Sequence, residues 1–374
     1  MKSRPSRVSP RKTKSSIAHA VSLMLVLCLL MCFPSCNSNS SVVPDSPEQQ
    51  SNNHIRDEFL QNVISDIIVV RPPEPEIVVW PLTGLPISET DDIHRRPLSI
   101  KIENTPEARP QLGISHADVV YESITEGGIT RFNCIFHSDI PVEVGPVRSA
   151  RNSDISIVPQ YQAMLFYSGA NSTVNREIAN AGISNMSDSA AYSLYHRVNY
   201  RYAPHNLYLY LDDVFTVANS KGFDITVEDP PSLLFGPSIH TSAVDARKIT
   251  VPLSYSYTAI WDYGEEADTY QRSMGGSKTT DAENSQIISV SNLVILWVPH
   301  TLGVIANGSQ TLNIDLTTSG AASIFVGGKR IDGTWQGSSN TPPRFRDADG
   351  NEILLTPGKT WIEVANTNIT VSAE

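Results

Sequence analysis

Residues 130–137 alternate in a way that leaves few options. Thr130, Phe132, Cys134 and Phe136 fall on one side, and Arg131, Asn133, Ile135 and His137 on the other. A repeat of two belongs to an extended strand, whose successive side chains point to opposite faces. Such a strand must join a sheet and have a layer packed on its apolar side. The pattern recurs where Leu98, Ile100 and Ile102 alternate with Ser99, Lys101 and Glu103, and again over residues 118–123. Residues 163–167 are nearly continuous apolar chain, which suits a strand buried on both faces and predicts a central position. Residues 173–181 and 212–221 read as helices, the second capped by Asp212 and Asp213 and stopped by Gly222. From about residue 238 strand signals dominate, at 254–261, 293–298, 322–326, 353–355 and 360–364, and Asp347-Ala348-Asp349-Gly350-Asn351 reads as a hairpin turn. These features predict an α+β fold, a layered β-sheet/helix sandwich with a β-rich C-terminal region.

The N-terminus reads as an address. Residues 1–35 hold six basic residues and no acid, and Leu23 to Met31 form an apolar run. Phe33-Pro34-Ser35-Cys36 follows, then a polar stretch. A basic segment, a short apolar core and a small residue before the cut describe a secretory signal. The Cys after that small residue resembles a bacterial lipobox, which implies lipidation at Cys36, although Phe33 stands where Leu is preferred. The alternatives are an uncleaved membrane anchor or a plain secreted protein; all three place the body outside the cytoplasm. Residues 37–76, rich in Ser, Asn, Gln and Pro, read as a tether. The expected organisation is a signal peptide at 1–35, lipidated Cys and tether at 36–76, an N-terminal α/β region at 77–235 and a β-rich region at 236–374.

Beyond the signal only Cys134 remains, so the body cannot form an internal disulfide. On the apolar side of a strand that thiol is expected to be inert core. The body carries 22 basic against 39 acidic residues, which excludes a general nucleic-acid binder. No Gly-x-Ser-x-Gly, His-Glu-x-x-His or body Ser-x-x-Lys is present, so no hydrolase nucleophile, zinc centre or penicillin-binding site is indicated, and no cofactor or metal is expected.

Three stretches place charge where strand patterning expects cover. Glu126-Gly127-Gly128-Ile129-Thr130-Arg131 combines a turn with a carboxylate and a guanidinium. Gly145-Pro146-Val147-Arg148-Ser149-Ala150-Arg151 is expected to enter a helix after Pro146, with Arg148 and Arg151 on one face. Pro204-His205-Asn206-Leu207-Tyr208 adds an imidazole and an amide. Paired guanidiniums suit a carboxylate or phosphate. The competing expectation is a buried structural network among Arg131, Arg148, Arg151, Glu122, Glu126 and Asp154.

Arg96-Pro97-Leu98-Ser99-Ile100-Lys101-Ile102-Glu103-Asn104, Ala108-Arg109-Pro110-Gln111-Leu112-Gly113 and Ala117-Asp118-Val119-Val120-Tyr121-Glu122 open a series of long motifs. With the three charged stretches, Tyr270-Gln271-Arg272-Ser273 and Pro357-Gly358-Lys359-Thr360-Trp361, they resemble the YerB-like bacterial lipoproteins over roughly residues 80–374. The resemblance implies a lipid-anchored, extracytoplasmic protein of mixed α and β fold and no defined reaction. Glu126, Arg131, Arg148, Ser149, Arg151, His205 and Asn206 match motif positions and are the candidate ligand-binding set. The chain departs at Ser168-Gly169-Ala170-Asn171, where relatives carry a His-containing turn, so no proton-transfer role carries over there. The function expected is binding of an anionic cell-wall component, peptidoglycan or teichoic acid. The alternative is a cell-wall processing enzyme using Glu126 and His205. The partners expected are the membrane, through a lipid anchor, and a wall polymer, with no nucleic acid.

Overall fold

Leu98–Glu103 (β1), Val119–Ile124 (β2) and Thr130–Phe136 (β3) pair antiparallel in the order β2, β3, β1. Leu98 lies opposite Phe136, Ile100 opposite Cys134 and Ile102 opposite Phe132, so the alternations of the two strands are in phase. A slip of one residue would turn every one of these side chains to the wrong face. The structure, a computed structural model, describes residues 78–237, 243–304 and 310–374. The expected export signal, the expected lipidation at Cys36 and the expected tether lie outside these residues.

Met164–Phe166 (β4) adds in parallel to the outer edge of β1. Asn292–Val298 (β5), Ser319–Val326 (β6), Lys329–Gln336 (β7), Arg344–Arg346 (β8) and Thr360–Asn366 (β9) extend the same sheet beyond β2. The spatial order is β8-β7-β6-β5-β9-β2-β3-β1-β4. The junction between early and late strands is the parallel pair β2–β9, from Val119 opposite Thr360 to Ser123 opposite Val364. A second sheet is built on the antiparallel strands Lys248–Pro252, Thr258–Gly264 and Thr269–Met274.

Both faces of the central sheet are buried. One face contributes Leu98, Ile100, Phe132, Cys134, Leu293 and Trp361 to a core shared with Ile249, Val251, Ala259 and Trp261 of the second sheet. The other contributes Val119, Tyr121, Ile135, Val294 and Val364 to a core shared with Ile157 and Val158 of helix α1 (Asn152–Gln160) and Val174 and Ile178 of helix α2 (Ser172–Asn180). Each buried aliphatic or aromatic side chain is worth about 1.5–3 kcal/mol, so these two cores dominate what holds the strands together. The result is a strand-rich α+β fold.

Several elements differ from expectation. The apolar strand β4 ends the sheet rather than lying at its centre. Its apolar character still has a cause, because Leu165 bonds both ways to an extended segment on its outer side, its N–H to Ser184 O at 2.9 Å and its carbonyl to Met186 N at 2.9 Å. The strand expected from residue 254 begins at Thr258; residues 254–257 make a turn, with Ser254 N–H donating to Tyr257 O at 3.1 Å. Residues 353–355 are extended but form no strand of the sheet: Leu355 bridges to Phe235, and Ile353 N–H donates to Phe345 O at 2.8 Å. Helix α3 (Val214–Ser220) ends at Gly222 (φ +77°), as expected, but Asp213 makes no side-chain cap.

Candidate functional site

The face of β1 and β3 turned towards α1 carries Ser99, Lys101 and Glu103 beside Arg131 and Asn133, and all five are buried. Lys101 Nζ lies 2.7 Å from Asp154 Oδ1, with both side chains fully excluded from water. Asn133 Nδ2 donates to the same oxygen at 2.8 Å, and Ser99 Oγ donates to Asn133 Oδ1 at 2.8 Å. Burial pulls the Lys101 pKa down, and the Asp154 charge opposes that pull. The second Asp154 oxygen accepts the Arg151 backbone N–H at 2.6 Å, which satisfies a donor at the helix entrance. The helix therefore starts at Asn152 and not after Pro146. Before it the chain is extended: Arg148 N–H donates to Lys101 O at 2.8 Å, and Arg148 O accepts from Ser168 N at 3.0 Å. Arg148 and Arg151 thus reach the site from this strap instead of from a common helix face.

Above the buried pair the remaining charges gather. One oxygen of Glu103, almost wholly buried, meets His205 Nδ1 at 3.0 Å and Thr105 Oγ1 at 3.1 Å, and lies 3.2 Å from Arg148 Nε in an ion pair without a hydrogen bond. Arg151 Nε lies 2.6 Å from Glu126 Oε2, and Thr311 Oγ1 donates to Glu126 Oε1 at 3.2 Å. Burial disfavours ionisation of Glu126, but the Arg151 charge and these hydrogen bonds outweigh it and hold the carboxyl below its ordinary range. Glu126 sits in the turn Glu126–Gly128, where Gly127 and Gly128 take φ of +80° and +75°, a conformation costly for residues with a Cβ.

Arg131 differs from the other two arginines. Its residue is 4% exposed, and among the described residues it pairs with no carboxylate. One Nη donates to Ser149 O at 3.1 Å, a carbonyl that Arg151 also approaches at 3.4 Å, and its Nε makes no hydrogen bond. Burial, then the charges of Arg151 and Arg148, bring its pKa down to about 9, against partial compensation from Glu126 and Glu103. Since Lys101 and Asp154 neutralise each other, three guanidiniums share two carboxylates, and the surplus positive charge rests on the most buried of the three.

Of the residues expected from sequence, Glu126, Arg131, Arg148, Arg151 and His205 do meet. Ser149 takes part through its carbonyl. Asn206 does not join them: its Oδ1 accepts from Arg197 at 2.7 Å and its Nδ2 donates to Val198 O at 3.1 Å, which ties a hairpin. Glu126 and His205 are held by different partners and share no hydrogen bond, so the acid–base pairing expected of an enzyme is not formed between them. Sequence reasoning missed Lys101, Glu103, Asn133 and Thr311 as members of the site; Asp154, expected in a network with the arginines, pairs with Lys101 and takes only the backbone N–H of Arg151. Glu122, expected as a partner of these arginines, instead binds Arg272 at 2.7 Å on the opposite side of the sheet, where the guanidinium lies over the rings of Phe132 and Trp361. Cys134 is fully buried, and its thiol is pushed far above its usual range by burial. No group of three or more potential metal ligands occurs among the described residues. A wider depression of about 590 Å³ lies beside Trp297, Ser323, Arg330 and Asp332, but its cation is paired, Arg330 with Asp332 at 2.7 Å.

Comparison with known proteins agrees with this architecture. The chain is 31% identical over 288 residues to the Bacillus subtilis (strain 168) protein named "Putative lipoprotein YerB", which covers 76% of this chain and 85% of that protein. The crystal structure of YerB protein from Bacillus subtilis superposes with a TM-score of 0.70 at 29% identity, covering 79% of this chain and 99% of the other. Residues 82–224 match the N-terminal domain, and residues 249–362 the C-terminal domain, of the family described as "Protein of unknown function (DUF3048)". The chain belongs to the DUF3048 family.

Proposed function

We propose that this chain is an extracytoplasmic lipoprotein, anchored through Cys36, that binds an anionic component of the cell wall at the Arg131–Arg148–Arg151 cluster. The observation that carries the proposal is Arg131. A guanidinium buried without a counter-charge is costly unless another group completes it. A phosphate or carboxylate bridging Arg131 with Arg148 and Arg151 supplies that group, and forked guanidiniums match its geometry. The body is otherwise strongly acidic, so a local positive site selects by position rather than by net attraction. The anchor is supported by the basic and apolar N-terminus, by Ser35-Cys36 and by the lipoprotein name of the Bacillus subtilis relative.

The test is direct titration of the intact protein with purified teichoic acid and with muropeptides, at low and moderate salt. Saturable binding that weakens with salt and is lost in Arg131→Met and Arg148→Ala supports the site. Absence of binding to either polymer by the unaltered protein ends the proposal. Loss of lipid labelling in Cys36→Ala, with retention in the parent, tests the anchor.

A further inference from the structure

On the other face of β1 a second cation stands without a counter-charge. The Arg109 guanidinium is fixed on two sides by Asn104: Nε donates to its Oδ1 at 3.1 Å and Nη2 to its backbone O at 2.7 Å. The group lies 5.4 Å over the Tyr257 ring, and Nη2 is 3.0 Å from Met274 Sδ. Among the described residues no carboxylate pairs with it, and Nη1 makes no hydrogen bond. Beside it Gln111 is fully buried. Its Nε2 donates to Glu103 O at 2.9 Å and to Asn104 Oδ1 at 3.1 Å. Both partners are acceptors, which fixes the amide and leaves Oε1 as a buried acceptor with no donor. Unsatisfied buried acceptors are rare enough in folded proteins to ask for a partner.

Both groups line one cavity of about 200 Å³, together with Met274, Lys278, Thr279 and Thr280. Lys278 is turned to Asp262 at 2.8 Å, so Arg109 is the uncommitted cation of this wall. The cavity is small beside those that hold drug-sized molecules, typically about 300–1,000 Å³. It suits a single residue-sized group that carries a negative charge and, close to it, one N–H.

We propose that this cavity binds an α-carboxylate with its adjacent N–H: the carboxylate on Arg109 Nη1 and the N–H on Gln111 Oε1. The C-terminal residue of a peptide and a free amino acid both present this pair. The site is separate from the Arg131 cluster and stands whether or not that cluster binds an anion.

Calorimetric titration of the intact protein with N-acetyl-alanyl-alanine, its C-terminal amide, free alanine and acetate tests it. The acid is expected to bind at least about tenfold more tightly than the amide, which corresponds to ~1.4 kcal/mol. Acetate, lacking the N–H, is expected to bind more weakly than either N–H-bearing acid. Tighter binding of the acetylated dipeptide than of alanine identifies a peptide terminus; the reverse order identifies an amino acid. The probes are titrated into Arg131→Met, in which the other cluster offers no carboxylate site, and Arg109→Gln in that background abolishes binding. Should the double variant not fold, the comparison of acid with amide on Arg131→Met still decides. Equal affinity for acid and amide, or no binding of any probe at millimolar concentration, overturns the proposal.

Discussion

Arg131→Met is expected to stabilise the ligand-free protein. At about 1.4 kcal/mol per pH unit, a pKa brought from 12.5 to about 9 sets the cost of keeping this charge inside at ~5 kcal/mol. Local relaxation and nearby water return part of that sum. Methionine keeps the length of the stem and gives up the charge-assisted hydrogen bond to Ser149 O, worth about 1.5–3 kcal/mol. That carbonyl keeps a longer contact from Arg151. The expected net gain is about 2 kcal/mol, seen as a higher urea midpoint with an unchanged slope. Arg272→Met is the control, because Glu122 would be left buried beside Glu363 with no cation; a loss of about 3–5 kcal/mol is expected. Sulfate or phosphate should stabilise the parent more than Arg131→Met, by about 1.4 kcal/mol at ten times the dissociation constant. If Arg131→Met loses stability on the scale of Arg272→Met, the guanidinium is a structural partner and the surplus-charge account is wrong.

Asp281 is fully buried and accepts the backbone N–H groups of Gly113, Ser115 and Glu283 at 2.8–2.9 Å. Asp281→Ala should cost at least about 3 kcal/mol by chemical denaturation, since each orphaned donor is worth about 1–3 kcal/mol. His116 sits between Asp139 (2.8 Å) and Glu283 (2.7 Å); burial lowers its pKa, but the two carboxylates outweigh it and the net shift is upward. Its contribution is therefore full below the unfolded value of 6.5 and is lost as pH rises through the folded value. Comparing parent with His116→Gln on both sides of that window should show a difference of at most about 1 kcal/mol, present only on the acidic side, because the pair is partly exposed. In native protein iodoacetamide should leave the Cys134 peptide unlabelled in a mass-spectrometric map, with labelling only after unfolding; native labelling would show that strand β3 opens.

The strands of the central sheet were legible because their apolar alternation is strict, as in Leu98, Ile100 and Ile102. The same alternation misled about the other side of β1. Ser99, Lys101 and Glu103 have the pattern of a solvated face, yet all three are buried, because α1 and the strap at residues 147–150 cover them. Nothing local to β1 announces that cover; it depends on Asp154, more than fifty positions later, pairing with Lys101. The arginines were found because charge at Gly-rich turns is conspicuous, whereas their carboxylate Glu103 was hidden within a strand pattern. The position of β4 failed for a related reason. Full burial and a central place in a sheet produce the same composition, and the segment that covers its outer edge carries no strand signal of its own.

The parallel union of β2 with β9 has a consequence for biogenesis. When a chain grows from its N-terminus, β2 exists roughly 240 residues before the segment that completes its free side. For that interval the early half exposes an unsatisfied edge beside a half-built core, and loop closure over such a distance is slow. Neither half can therefore be expected to survive as an isolated fragment, and a truncation anywhere before residue 360 should yield an aggregating product rather than a shorter functional one.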